Sequence, residues 1–205
     1  MAKPPESSKV AGIILAAGQS TRLGRPKQLL DVCGKTAIRR VAEVAIAAQL
    51  DMVVVVIGNA AEEIGRELTG LDVCVVENPD FAEGQSTSMR AGLGALPGDV
   101  DAALFLLGDQ PTMTSDVIDV VVAAYRDSGA SIVQARYRGR PGHPVLFDRS
   151  LFTELAAVTG DRGARDVIAR HPEMIHFADM NQDAPLDIDT KADYERVLGQ
   201  FRFNS

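Results

Sequence analysis

Apolar residues run along this chain in two rhythms. Short unbroken stretches rich in branched side chains occur at 10–15, 52–57, 73–77, 102–107 and 131–135. Between them lie segments at 36–49, 60–68, 85–96 and 115–128 whose apolar positions recur with helical spacing. Unbroken runs of this length suit strands buried on both faces, as the strands of a parallel sheet are. The alternation predicts βαβ repetition and hence an α/β fold, a largely parallel sheet covered by helices. Ser115 offers an N-cap for the fourth helix and Gly129 a matching stop.

After residue 135 the alternation loosens. The stretch 136–147 reads as a hairpin or excursion whose glycines and prolines make turns. Shorter helical segments follow at 151–158 and 162–170, then an apolar run at 174–178, an Asp-rich stretch at 186–190 and a final helix from about 191 to 201. The expected organisation is a flexible polar tail at 1–9 and a single domain over 10–205, with an elaboration for a second substrate at about 136–180.

Bulk properties narrow the classes. The chain has 205 residues, 46% hydrophobic and 24% charged, long enough for a substantial core. A formal net charge of −7 argues against nonspecific nucleic-acid binding. The first nine residues have no apolar core of a signal peptide, and no later apolar run reaches membrane-spanning length, so neither secretion nor insertion is expected. Cys33 and Cys74 sit in segments that read as structural and lack metal-site spacing, which fits a reduced cytoplasmic setting.

The chemistry concentrates after the first apolar run. Residues 15–27, Leu-Ala-Ala-Gly-Gln-Ser-Thr-Arg-Leu-Gly-Arg-Pro-Lys, leave the carboxyl end of a predicted strand, where open α/β sheets bind ligands. Gly18 and Gly24 allow backbone amides close to an anion, and Arg22, Arg25 and Lys27 bring positive charge to the same place. The spacing is neither that of a P-loop nor that of a dinucleotide fingerprint. A nucleoside triphosphate is the expected ligand.

Four further segments carry candidate chemistry. Asp109, in Gly-Asp-Gln-Pro, follows the most uniformly apolar strand and suits Mg²⁺, which takes oxygen ligands and bridges phosphates; the same carboxylate could cap the helix near Ser115. Asp187 and Asp189 alternate on one side of an extended segment, Asp189 as a second metal ligand with Asp187 supporting it; a cap formed by Asp189 or Thr190 with Asp193 competes. Residues 83–93 enter a helix through Gly84, Ser86 and Ser88, which can serve a base and ribose or simply N-cap the helix. Arg140, Gly142, His143, Arg162 and Arg165 lie in two glycine-rich loops suited to a second anionic ligand.

Taken in chain order, these segments resemble the MobA-like nucleotidyltransferases, and most closely their molybdenum cofactor cytidylyltransferase branch. The resemblance implies a three-layer α/β/α sandwich with a Rossmann-like, mostly parallel sheet of the nucleotide-diphospho-sugar transferase type. It implies that Leu15, Ala16, Ala17, Gly18, Arg22, Gly24 and Lys27, with Gly84 and Ser88, hold the nucleotide, that Arg22, Lys27 and Asp109 act in catalysis, and that Asp109 and Asp189 bind Mg²⁺. Gln110, Arg140, Gly142, His143, Arg162 and Arg165 are then expected to face a phosphate-bearing pterin. The implied reaction moves CMP from CTP to the terminal phosphate of molybdopterin and releases pyrophosphate, and a molybdoenzyme would receive the product. Ala17, where GTP-using relatives have glycine, narrows the space beside the base and favours CTP modestly. GTP, another phosphate acceptor, and a non-catalytic carrier of the cofactor stay open.

Overall fold

The apolar runs become strands whose side chains alternate between two hydrophobic layers. The computed structural model describes residues 8–20 and 23–203. In chain order the elements are β1 (Val10–Leu15), β2 (Asp31–Val32), β3 (Lys35–Thr36), α1 (Ala37–Ala47), β4 (Met52–Ile57), α2 (Ala61–Glu67), β5 (Cys74–Glu77), α3 (Gln85–Gly94) and β6 (Ala102–Leu107). There follow α4 (Ser115–Ser128), β7 (Ile132–Tyr137), β8 (Arg140–Asp148), α5 (Phe152–Ala156), α6 (Arg165–Arg170), β9 (Ile175–Met180) and α7 (Lys191–Phe203).

Seven strands form one sheet in the order β5-β4-β1-β6-β8-β7-β9. Within it β8 alone runs antiparallel to its neighbours, and the other pairings are parallel. On one face Ile14, Val55 and Leu104 pack with Ile38 of α1, Ile64 of α2 and Val121 of α4. On the other, Ile13, Val54 and Phe105 pack with Met89 of α3, Leu155 of α5 and Val167 of α6. Consecutive residues of one strand thus feed opposite layers, which is why these strands show no polar alternation. A third cluster joins Leu30 and Val32 to Ile188 and Val197, fastening α7 beside the first loop.

The chain runs outward from β1 through β4 to β5 and then returns to β6 on the other side of β1, so the strand order reverses between β1 and β6. That is where doubly wound sheets bind ligands. Gly108 draws the two strand ends together: its N–H donates to the Leu15 carbonyl at 3.0 Å, and a Cβ there would lie 3.0 Å from Ala16 Cβ and 3.1 Å from Ile38 Cδ1.

Several local expectations change. Residues 140–144, read as a glycine-rich loop, lie in β8; the turn is confined to Arg138 (φ 47°) and Gly139 (φ 83°), a positive-φ pair suited to a tight hairpin. Pro141 and Pro144 lack an N–H for the ladder, and the pairing of β7 with β8 is irregular between Gln134 and Arg136. The N-cap of α4 is Thr114 rather than Ser115, with no side-chain cap, whereas Gly129 ends that helix at φ 64°. The helix expected from 162 starts at Arg165, and the small β2–β3 ribbon had no hydrophobic signature. Of the expected tail, residues 1–7 lie outside the described residues; Ser8 is buried, and the Lys9 N–H donates to Asp101 Oδ2 at 2.9 Å. Both cysteines are exposed, Cys33 in the β2–β3 turn and Cys74 on the edge strand β5. Among the described residues no helix is long and apolar enough to cross a membrane.

Candidate active site

The loop after β1 is braced by one buried amide. Gln28, 2% exposed, donates its Nε2 to the carbonyls of Ala16 (3.1 Å) and Gly18 (3.4 Å). Ser20, at φ 53°, accepts the Lys27 N–H on its Oγ at 2.9 Å. These bonds fold the loop back and turn Lys27 toward the end of β6. Gly24 (φ 67°) has open space where a Cβ would stand, so it serves the turn rather than a close approach. Gly24 and Arg25 are exposed, and Arg22 lies outside the described residues.

Lys27 ends between two carboxylates from distant parts of the chain. Its Nζ contacts Asp109 Oδ2 and stands 2.9 Å from Asp189 Oδ1. The Lys27 and Asp109 side chains are 18% and 14% exposed, that of Asp189 50%. Burial opposes the lysine charge, but the carboxylates of Asp109 and Asp189 outweigh it and hold the pKa above the ordinary lysine value. The strip carrying Asp189 is pinned by Ile188 N–H to the Asp109 carbonyl (3.1 Å) and by Leu186 N–H to Thr112 Oγ1 (2.8 Å).

The helix-cap expectation also holds, on Thr190 and Asp193. Asp193 Oδ2 accepts from the Thr190 N–H at 2.8 Å, and Thr190 Oγ1 accepts from the Asp193 N–H at 3.2 Å. This reciprocal cap occupies Asp193 and turns the Asp189 carboxylate to Lys27. Asp187 Oδ1 accepts from Gln110 Nε2 at 2.8 Å; burial, with Asp109 and Asp189 nearby, pushes its carboxyl above the usual range.

Two clefts meet at this triad. The first, about 370 Å³, is lined by Leu15, Ala17, Gly18, Phe81, Gly84, Ser88 and Asp161 among others. The second, about 490 Å³, is lined by Gln110, Gln134, Gly142, His143, Arg162 and Arg165 over an apolar floor that includes Phe105 and Phe147. Leu15, Lys27, Gln85, Leu107 and Asp109 border both. Another hollow, about 320 Å³ beside α1 and α7, carries Arg40 and Glu43, both already bonded to neighbours.

The wall of the first cleft is rigid for identifiable reasons. Asn78, 3% exposed, donates Nδ2 to Thr87 Oγ1 (2.8 Å) and Ser88 Oγ (3.0 Å). Gly84 sits at φ 115° with its backbone against Gly160, where a Cβ would approach the Gly160 carbonyl carbon to 2.6 Å. Ser86 N–H donates to the Gly160 carbonyl at 3.2 Å. Ala17 is 4% exposed and packs against Gly58, where an added Cβ would lie 2.9 Å from the Ala17 methyl. Ala17 thus packs against Gly58 while also lining the first cleft.

The expected residues are therefore mostly gathered. Among the described ones Ala16, Gly24 and Arg140 line neither cleft, Ala16 being fully buried and Gly24 and Arg140 exposed. Sequence reasoning missed Gln28, Asn78, Phe81 and Gln134, and it assigned the 160–165 loop wholly to the second ligand although Asp161 lines the first cleft. Buried amides belong to no motif; the Asn-Pro-Asp turn at 78–80 was the one available signal.

Among the described residues no group of three or more His, Cys, Asp or Glu forms a metal cage. Asp109 and Asp189 nevertheless converge on one cation, the Lys27 ammonium, with oxygen atoms alone. A hard divalent ion that keeps waters and draws its remaining ligands from phosphates fits such a pair.

A family model described as MobA-like NTP transferase domain matches residues 12–175. The nicotine blue oxidoreductase of Paenarthrobacter nicotinovorans is 30% identical over 199 residues, 92% of this chain and 96% of that protein. The molybdenum cofactor cytidylyltransferase of Escherichia coli K12 is 28% identical over 192 residues, 91% of this chain and 94% of the relative. The Rv0371C structure from Mycobacterium tuberculosis H37Rv, a complex with manganese, superposes with a TM-score of 0.79 at 31% identity, covering 94% of this chain and 99% of that one.

Proposed function

This chain belongs to the MobA-like NTP transferase family, and from that premise we propose that it transfers CMP from CTP to the terminal phosphate of molybdopterin, releasing pyrophosphate. The observation that carries this reading is the meeting of two clefts at Lys27, Asp109 and Asp189. A nucleotidyl transfer needs a donor and an acceptor on either side of one charge-neutralising point, and this is such an arrangement.

In this reading the backbone of 15–18 and the wall carrying Gly84 and Ser88 hold the nucleotide in the first cleft. Gln110, Gly142, His143, Arg162 and Arg165 face the phosphate acceptor in the second. A phosphate oxygen of the acceptor forms a bond to the α-phosphorus as the bond to the pyrophosphate oxygen breaks. The nucleophile is already anionic, so no general base is required; alignment and charge neutralisation carry the rate. Lys27 places its ammonium on the phosphate oxygens, and the braced loop keeps it there. Asp109 and Asp189 would hold Mg²⁺, which when bound supplies further neutralisation of the phosphates; the manganese complex of the mycobacterial relative supports divalent metal use. The product would pass to a molybdoenzyme in the cytoplasm.

A matrix of nucleotides against phosphate acceptors, read by pyrophosphate release and product mass, tests this. CTP with molybdenum cofactor and Mg²⁺ is expected to give the fastest release and a product heavier by CMP. No release with any nucleotide would sink the proposal. The likeness to an oxidoreductase adds one arm: redox turnover of a nicotine blue-type dye, with no transfer, would replace it.

A further inference from the structure

The ladder between β7 and β8 is interrupted beside the second cleft. Gln134 pairs with Val145 and Arg136 with Pro141, so Gly142, His143 and Pro144 stand opposite Ala135 alone. On its other side β8 pairs with β6 only from Val145 to Asp148. Residues 142–144 therefore form a bulge that lies outside the register of both neighbouring strands, and Pro144 has no N–H to offer. Bulges of this kind re-aim side chains beside ligand sites. Here the bulge carries Gly142 and His143 into the lining of the second cleft.

Two side chains of β7 replace the missing ladder bonds, one from each face of the sheet. Gln134, which lines the cleft, donates its Nε2–H to the Gly142 carbonyl at 3.4 Å. Tyr137 comes from behind: it is 3% exposed, belongs to the hydrophobic layer that holds Ala135, Leu146 and Met180, and lines neither cleft. Its hydroxyl donates to the His143 carbonyl at 2.6 Å. Burial pushes the phenol above the ordinary tyrosine value, which keeps it a donor. The ring also limits how the chain can pass, since a Cβ on Gly142 would stand 3.1 Å from both Cδ2 and Cε2 of Tyr137. Glycine lets the bulge settle against the ring, and the hydroxyl ties it one residue further on. We infer that Tyr137 is a positioning residue for the second cleft, setting the bulge at 142–144 from the opposite face of the sheet so that His143 meets the phosphate-bearing acceptor in one orientation. It touches no substrate and acts through the His143 carbonyl and Gly142. The inference rests on the reading of this cleft as the side of the phosphate acceptor.

Tyr137→Phe keeps the ring and removes the bond. The chain has three histidines; His171 follows α6 and His176 is exposed on β9, so a proton–carbon NMR correlation of the histidine rings reads the bulge directly in the full-length protein. With the His143 signal assigned by its loss in His143→Gln, Tyr137→Phe is expected to shift and broaden that signal and to leave the other two in place. In steady-state kinetics it should lower kcat/KM for the acceptor by about tenfold, the effect of one lost buried hydrogen bond, with the KM for CTP unchanged. Gly142→Ala, which presses a Cβ against the ring, should produce the same selective loss with the hydroxyl intact. A merely structural role would lower the melting temperature and move the constants for both substrates together. A His143 signal unmoved in Tyr137→Phe, an unchanged kcat/KM for the acceptor, or a KM for CTP that rises in step with that for the acceptor overturns the inference. If the wild type transfers no nucleotide at all, the proposed function fails, and the His143 signal alone decides the role of Tyr137.

Discussion

Replacing Lys27 by methionine should produce two opposite effects. The Lys27 ammonium stands 2.9 Å from Asp189 Oδ1 and also contacts Asp109. At that separation, with an effective dielectric near 20, the Lys27–Asp189 pair has a gross attraction of about 6 kcal/mol. Desolvation of Lys27 and the half-exposure of Asp189 leave a net contribution of about 1–2 kcal/mol. A divalent ion approaching Asp109 and Asp189 must compete with that ammonium. Without nucleotide, Lys27→Met is therefore expected to bind Mn²⁺ about tenfold more tightly than wild type, since about 1.4 kcal/mol is a factor of ten. Turnover should fall by roughly 10²–10³, the cost of losing one positioned charge on a developing anionic centre. Manganese titration by electron paramagnetic resonance reads the first effect and pyrophosphate release the second. Lys27→Arg, which keeps the charge, should bind Mn²⁺ as weakly as wild type. An Mn²⁺ affinity in Lys27→Met equal to or below that of wild type would refute the reasoning.

Gly84→Ala should be destabilising by about 2–4 kcal/mol, because it combines strain at φ 115° with a 2.6 Å approach to Gly160. Urea unfolding reads the loss, and the KM for nucleotide should rise at least tenfold while the protein is folded; an unchanged midpoint contradicts the packing described. Asp193 gives a pH prediction: the Arg196 guanidinium, followed by the Thr190 hydroxyl, lowers its pKa from 3.8 to about 2. A lowered folded-state value means the stabilisation is present above about pH 4 and is lost as pH falls toward 2. Asp193→Asn should lie below wild type in stability at pH 7, with the gap closing below pH 3 in urea melts; a constant gap would rule out the carboxylate as its source.

The central parallel strands were legible because both faces are buried, which leaves unbroken apolar runs such as Ala102–Leu107. For β8 the hairpin reading of 136–147 held but its extent did not, because Gly139, Pro141, Gly142 and Pro144 signal turns locally, while the pairing that overrides them comes from β6 and β7. The same gap between local signal and distant contact runs through the site. Asp109 and Asp189 could be picked out by residue type and setting, yet nothing local says that Lys27 will stand between them. Gln28 and Asn78 look ordinary in sequence, since an amide becomes a brace only once the fold has removed water around it. His143 was assigned to the second ligand, but its support by Tyr137 from behind the sheet exists only in three dimensions.

Asp161 lines the first cleft and Arg162 the second, so adjacent residues look into different chambers across one peptide unit. Redesign of this loop cannot then be confined to one substrate. An insertion after Gly160 meant to widen the chamber beside Arg162 also displaces Asp161 from the other, so a library selected for new acceptors will carry altered nucleotide preference unless Gly84 and Gly160 are kept as the fixed edge.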